Sequence, residues 1–191
     1  MVNTARALLL VVSIAVLIAC TGGGQEQPPQ DVVVQDIDTT QPPPEPHPTS
    51  GRDRIRLGIG TESFLMEVSD DDRERILGLG GRTRLGRNEG MVFVYPKPKV
   101  LGFWMKDCLI DLEILYVRGD GRIMSMHRMP KEPPRGDEER LSTYEERLPR
   151  YPSRYVVQFA LEFAPGTIER LGLRTGQVLA LPAKTLLDDA R

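Results

Sequence analysis

From Arg52 onward, apolar residues come in short bursts separated by turn formers, the pattern of strands rather than long helices. Phe64, Met66 and Val68 alternate along SFLMEV and predict one strand. Ser69 then precedes DDDRERILGL, which predicts a short helix with an acidic first turn, Ser69 as N-cap and Gly78 at its end. The following LGGRTRLG reads as an irregular loop, and MVFVY (Met91 to Tyr95) as a buried strand stopped by Pro96. In FWMKDCLIDLEILY, Ile110, Leu112, Ile114 and Tyr116 fall on one face while Asp111 and Glu113 fall on the other, as in a half-solvated antiparallel strand. Gly119-Asp120-Gly121 predicts a hairpin into RIMSMHRM. Along YVVQFALEF, Tyr155, Val157, Phe159, Leu161 and Phe163 share a face; PGTIERLGL then gives a helical turn or two closed by Gly172. LRTGQVLAL reads as a turn at Gly176 and a final strand. The tally is about seven strands and two short helices: a mainly β fold, sandwich or barrel-like.

The first fifty residues follow different rules. MVNTAR with Arg6, then apolar Ala7 to Ile18, has the layout of an export signal, about twelve residues being short for a bilayer span. Leu17-Ile18-Ala19-Cys20 resembles the lipobox of bacterial lipoproteins, which implies cleavage before Cys20 and acylation of its thiol. Acyl chains add about 0.8 kcal/mol per buried methylene, so two or more would hold the protein durably on a membrane. Thr21 to Ser50 is rich in proline and glycine and short of apolar surface, hence a tether, with a coil span of roughly 30 Å. The expected organisation is a signal peptide over 1–19, a disordered tether over 20–51, and a single β-rich domain over 52–191. The expected location is outside the cytoplasm on a membrane; Thr21 after the cysteine resembles outer-membrane lipoproteins facing the periplasm where a cell has two membranes.

Composition narrows the chemistry. A net charge of -2 argues against nucleic acid as a partner. With two cysteines and two histidines, no disulfide framework and no His/Cys zinc site is expected, and no motif asks for a cofactor. With Cys20 acylated, Cys108 is expected as a buried, inert thiol. Pro130 to Arg154 is a polar, proline-rich run of about 25 residues, read as a functional or disordered loop. A monomer is expected.

GMVFVYPKPKVLGFWMKDCLIDLEILYVRGDGRI is similar to the signature of the bacterial and archaeal domain-of-unknown-function 192 family, whose usual form is close to GMLFVF…FWMKNTLIPLDILF…DG.I. Arg75, Gly78, Leu79, Arg82 and Leu85 fit that family's R..GLM.R..L element, and YVVQFALEFAPGTIERLGLRTGQVL resembles its closing segment. The resemblance covers about residues 54 to 184, the whole folded part, and implies a compact, mostly β module, commonly exported and with no established activity. Asp107 and Cys108 stand where the family has Asn-Thr, Asp111 where it has Pro, and Glu113 where it has Asp. A carboxylate at 107 accepts hydrogen bonds but cannot donate as an amide does.

The candidate site is Trp104, Lys106 and Asp107 with Asp111, Glu113 and Arg82: an indole for stacking, an ammonium, carboxylates and a forked donor. The opposing reading puts Trp104 in the core and pairs Arg82 with Asp107 or Glu113. On the first reading the protein is a non-catalytic, lipid-anchored envelope module that binds a small polar ligand, a glycan or an envelope protein. The alternative is a hydrolase or lyase of envelope carbohydrate using two carboxylates among Asp107, Asp111 and Glu113.

Overall fold

A computed structural model describes residues 45, 47–188 and 190–191. The expected signal peptide, Cys20 and nearly all of the expected tether lie outside the described residues. Six strands form one mixed sheet: β1 (Arg54–Ile59), β2 (Glu62–Ser69), β3 (Glu89–Phe103), β4 (Leu112–Val117), β5 (Ile123–Met129) and β6 (Tyr151–Phe163), in the order β1-β2-β3-β6-β4-β5. Only β2 and β3 run parallel; every other neighbouring pair is antiparallel. Four short helices accompany them: α1 (Asp72–Leu77), α2 (Leu141–Arg147), α3 (Thr167–Arg170) and α4 (Ala183–Asp188). The mainly β expectation holds, as a single sheet with apolar residues on both faces.

The two faces are packed by different parts of the chain. On one, Phe64, Met66, Val92, Val94, Leu115, Phe159 and Phe163 pack beneath Leu173, Leu179 and Leu186 from the C-terminal segment. On the other, Met91, Phe93, Tyr95, Ile114, Tyr116 and Ala160 pack beneath Leu79 and Met105, which come from the loops after α1 and β3. Both faces being covered, all six residues of β4 are buried. That overturns the half-solvated reading of this strand. Glu113 is buried because its carboxylate accepts a hydrogen bond from the Ile168 amide at 2.8 Å, in the first turn of α3. A satisfied carboxylate can lie in an interior where a bare one is costly.

Several local expectations move for identifiable reasons. Pro96 does not end β3; Pro96 and Pro98 fall in a register shift between Val94 and Lys99, where the missing N–H groups interrupt no ladder bond. The N-cap of α1 is Asp71, whose side chain accepts from the Glu74 amide at 2.8 Å; Ser69 is still in β2. The Trp104 motif leaves the sheet as a loop between β3 and β4 rather than continuing a strand. The expected last strand is reduced to one bridge, Arg122 with Val178. Tyr155 is exposed, because it precedes the part of β6 that is covered on both sides. Pro130 to Arg154 is ordered, carrying α2 with buried Tyr144 and the start of β6. The hairpin at 119–121 forms as expected. Gly121 is required there, since its φ is 85° and a β-carbon would sit 2.0 Å from the Leu179 carbonyl oxygen.

Candidate functional site

The loop that carries Trp104 is held from two sides. The Gly81 amide donates to the Asp107 carbonyl at 2.9 Å, tying the loop to the glycine-rich turn after α1. The Asp107 amide donates to the Tyr144 hydroxyl at 2.9 Å, tying it to α2. Asp107 has a φ of 58°, the left-handed region that Asn and Asp tolerate best. The residue type at 107 therefore serves the backbone turn, which either Asp or the family's Asn can occupy. Trp104 is half-buried, with the Arg150 guanidinium 3.7 Å and the Lys106 ammonium 5.4 Å from its ring. Lys106 also pairs with Glu145 of α2. The Pro130 to Arg154 segment is thus the outer support of the Trp104 loop.

Between this loop, α1 with its following turn, and the sheet face below runs a cleft of about 840 Å³. Phe93, Tyr95, Phe103 and Trp104 supply its aromatic surface. An edge-to-face ladder from Phe93 to Phe103 (4.8 Å) and on to Tyr116 (5.8 Å) fixes two of these rings in the sheet. The Arg75 guanidinium lies 5.2 Å and the Lys99 ammonium 4.6 Å from the centre of the Tyr95 ring. Arg75 also pairs with Asp72 and donates to the Val94 carbonyl at 2.7 Å.

Glu162 on β6 also lines this cleft, and the sequence reading missed it. It is 4% exposed, and no hydrogen bond or ion pair reaches its carboxyl among the described residues. Burial pushes that carboxyl up to about 8. Burial, followed by the charges of Glu162 and Asp107, pushes the half-buried Cys108 thiol up to about 12, so it stays protonated at neutral pH. That agrees with an inert thiol. Burial also pushes Tyr95 up to about 12.

The proposed site residues separate into groups. Trp104, Lys106 and Asp107 line the cleft together. Arg82 does not; its guanidinium makes two bonds to Glu67, at 2.8 and 2.7 Å, and the bond from this turn to the Trp104 loop is made by the preceding Gly81 amide. The pairing of Arg82 with Asp107 or Glu113 is replaced by this pair with Glu67. Asp111 is exposed and accepts from the Lys131 amide at 2.9 Å, while Glu113 is turned to α3 on the opposite sheet face. The carboxylates considered for hydrolysis are each engaged with a different partner and do not converge. The signal that would have found Glu162 was present in VVQFALEF: once both faces are apolar, the residues between the aromatics, Gln158, Ala160 and Glu162, must be buried too. Gln158 donates to the Tyr95 carbonyl at 3.3 Å, leaving Glu162 as the polar member of that row whose side chain has no partner among the described residues and borders the cleft. Asp70, Asp71 and Glu74 bring three carboxylates within ligand distance of one another, but Asp71 caps α1 and Glu74 pairs with Arg52.

Fold and cleft together define a mainly β domain with one aromatic-lined recess above a mixed sheet. The chain belongs to the DUF192 family (Uncharacterized ACR), whose model matches residues 55–181. A crystal structure of a protein of unknown function from Novosphingobium aromaticivorans DSM 12444 is similar at a TM-score of 0.62 and 26% identity, covering 74% of this chain and 94% of that one. A second, from Sinorhizobium meliloti 1021 and described as a candidate transcription regulator, is similar at a TM-score of 0.53 and 26% identity, covering 66% of this chain and 90% of that one. No curated protein matches the chain in sequence. Among the described residues no helix is long and apolar enough to cross a membrane.

Proposed function

We propose that this protein is a non-catalytic binding module, exported and held on a membrane by acyl chains on Cys20, with the Trp104 cleft as its ligand site. One observation carries the binding half of this reading: a half-buried indole and an unpartnered, buried carboxyl line the same recess. Apolar walls with a few directed polar groups are the usual make-up of a small-molecule site, and about 840 Å³ is within the usual range for one. The protonated Cys108 thiol and the dispersed carboxylates supply no nucleophile–base pair, which favours binding over catalysis. The anchoring half rests on the sequence from Arg6 to Cys20, with the proline-rich stretch giving the domain reach away from the bilayer. On this reading the ligand is a small polar molecule of the cell envelope, and the protein acts as a monomer.

Trp104 is the chain's single tryptophan, so its emission reports on the cleft alone. A screen of small amines, acids and sugars against the full-length chain should return compounds that raise the melting temperature and also shift Trp104 emission. A ligand at 100 times its dissociation constant adds about 2.7 kcal/mol of stability. Stabilising compounds that leave the emission unchanged, or no stabilising compound at all, would contradict the cleft as a binding site. For the anchor, the mass of the mature protein should show cleavage before Cys20 plus acyl additions, and a Cys20→Ala chain should lose both.

A further inference from the structure

The cleft's most unusual group also indicates what it would take. Glu162 is nine-tenths buried, faces the recess, and meets no donor or cation among the described residues. Of the cations lining the cleft, Arg75 is engaged with Asp72, Lys106 with Glu145 and Lys99 over the Tyr95 ring, while Arg73 on α1 is exposed and makes no pair with Glu162. Arg52 and Arg82 both go to Glu67. A carboxylate without a counter-charge in such a place is strongly disfavoured, and a cation delivered to it recovers Coulomb energy that water screens less than at an open surface. The surrounding rings act in the same direction, since aromatic faces attract ammonium groups.

We propose that the cleft takes a small organic cation, its ammonium group seated on the Glu162 carboxylate and its apolar frame against Phe93, Phe103 and Trp104. This rests on the cleft being a binding site and specifies the ligand's chemistry. A free small molecule, rather than a peptide side chain, matches a recess of about 840 Å³. Binding is coupled to proton release, because Glu162 must ionise to receive the cation. The groups around it are Asp72, Arg73 and Arg75 on α1, Tyr95 and Lys99 on β3, Tyr116 on β4, and Lys106, Asp107 and Cys108 on the Trp104 loop; Glu67 with its two arginines lies further along the same face. Tyr95 and Cys108, pushed to about 12, stay protonated between pH 6 and 8, so the linkage there is assigned to Glu162.

The test uses three probes of similar size on the full-length chain, read by Trp104 emission: benzylammonium, benzyl alcohol and benzoate. Benzylammonium should bind at least tenfold more tightly than either of the others. Its affinity should fall by close to tenfold per pH unit below about 8 while the probe remains a cation. Glu162→Gln, with its fold checked by circular dichroism, should erase both the preference and the pH dependence. Glu162→Leu serves as a second variant in case the amide disturbs packing. Equal binding of benzyl alcohol or benzoate, unaffected by Glu162→Gln, would overturn the cationic ligand and leave the binding site standing. A capped lysine tripeptide binding more tightly than benzylammonium would overturn the free small molecule. Failure of every probe to bind a folded wild-type chain would overturn the cationic ligand, whereas the wider compound screen decides the cleft itself.

Discussion

Glu67 and Glu162 occupy one row of the same sheet. The register pairs Met91 with Glu67 on one side and with Glu162 on the other, which puts the two glutamates on the same face, roughly 10 Å apart at their backbones. They are 3% and 4% exposed. Glu67 receives Arg82 through two bonds, Arg52 at 3.4 Å and the Ser50 hydroxyl at 2.8 Å. Glu162 receives none of these. Two nearly identical positions in a β sheet thus carry opposite electrostatics, decided by which loops cross above them. The turn after α1 and the residues ahead of β1 deliver their arginines to Glu67, while the Trp104 loop passes over Glu162 and leaves an opening. A saturated buried carboxylate holds a fold together; an unsaturated one beside a cleft is available to a ligand.

The contrast can be broken from either end. The largest effect is expected at Glu162. Its carboxyl is raised from 4.5 to about 8 in the folded chain, so folding favours the protonated form, and stability falls as pH rises through that window. If the whole shift separates folded from unfolded chains, the loss by pH 9 is about 5 kcal/mol. Urea denaturation at pH 5 and pH 9 should show about 4 kcal/mol of this loss in the wild type, the first part having occurred below pH 5, and a much smaller one in Glu162→Gln. Next comes Arg82→Ala, which takes the two-bond partner from a buried carboxylate and should destabilise the protein by about 3–5 kcal/mol at neutral pH. Where that variant is still folded, Trp104 emission and probe binding should be unchanged, because Arg82 does not line the cleft.

Smaller effects sharpen the division of labour. Glu113→Ala leaves the Ile168 amide without its acceptor and should cost about 1–3 kcal/mol in thermal denaturation. Such a change acts on the opposite face, so cleft binding should survive it. Lys106→Ala removes a partly exposed pair with Glu145 and should change stability by less than about 1 kcal/mol. It should nevertheless alter Trp104 emission, since the ammonium lies 5.4 Å from the ring.

Much of the architecture was legible from alternation. Phe64, Met66 and Val68, the hairpin at 119–121 and the helical turn ending near Gly172 were all visible, because each is set by local spacing or a turn residue. The length of β3 was not, since a proline normally argues against a strand and only the partner β6 reveals the register shift that accommodates two of them. Glu113 was read as wet because alternation fixes which face a residue takes, not what covers that face. The same blind spot hid Glu162. Of the site, Trp104, Lys106 and Asp107 were legible because they are contiguous, whereas Arg82 was misplaced because its partner Glu67 comes from a strand some fifteen residues earlier in the chain.

The direct test is the titration of Glu162 itself. Carbon-13 carboxyl shifts of a glutamate-labelled chain, with the Glu162 signal assigned by its disappearance in Glu162→Gln, should give a midpoint near 8. A saturating amine should move that midpoint sharply downward. A midpoint near the ordinary value of 4.5 in the unliganded protein would mean that water or an unrecognised donor already satisfies the carboxyl, contradicting the account.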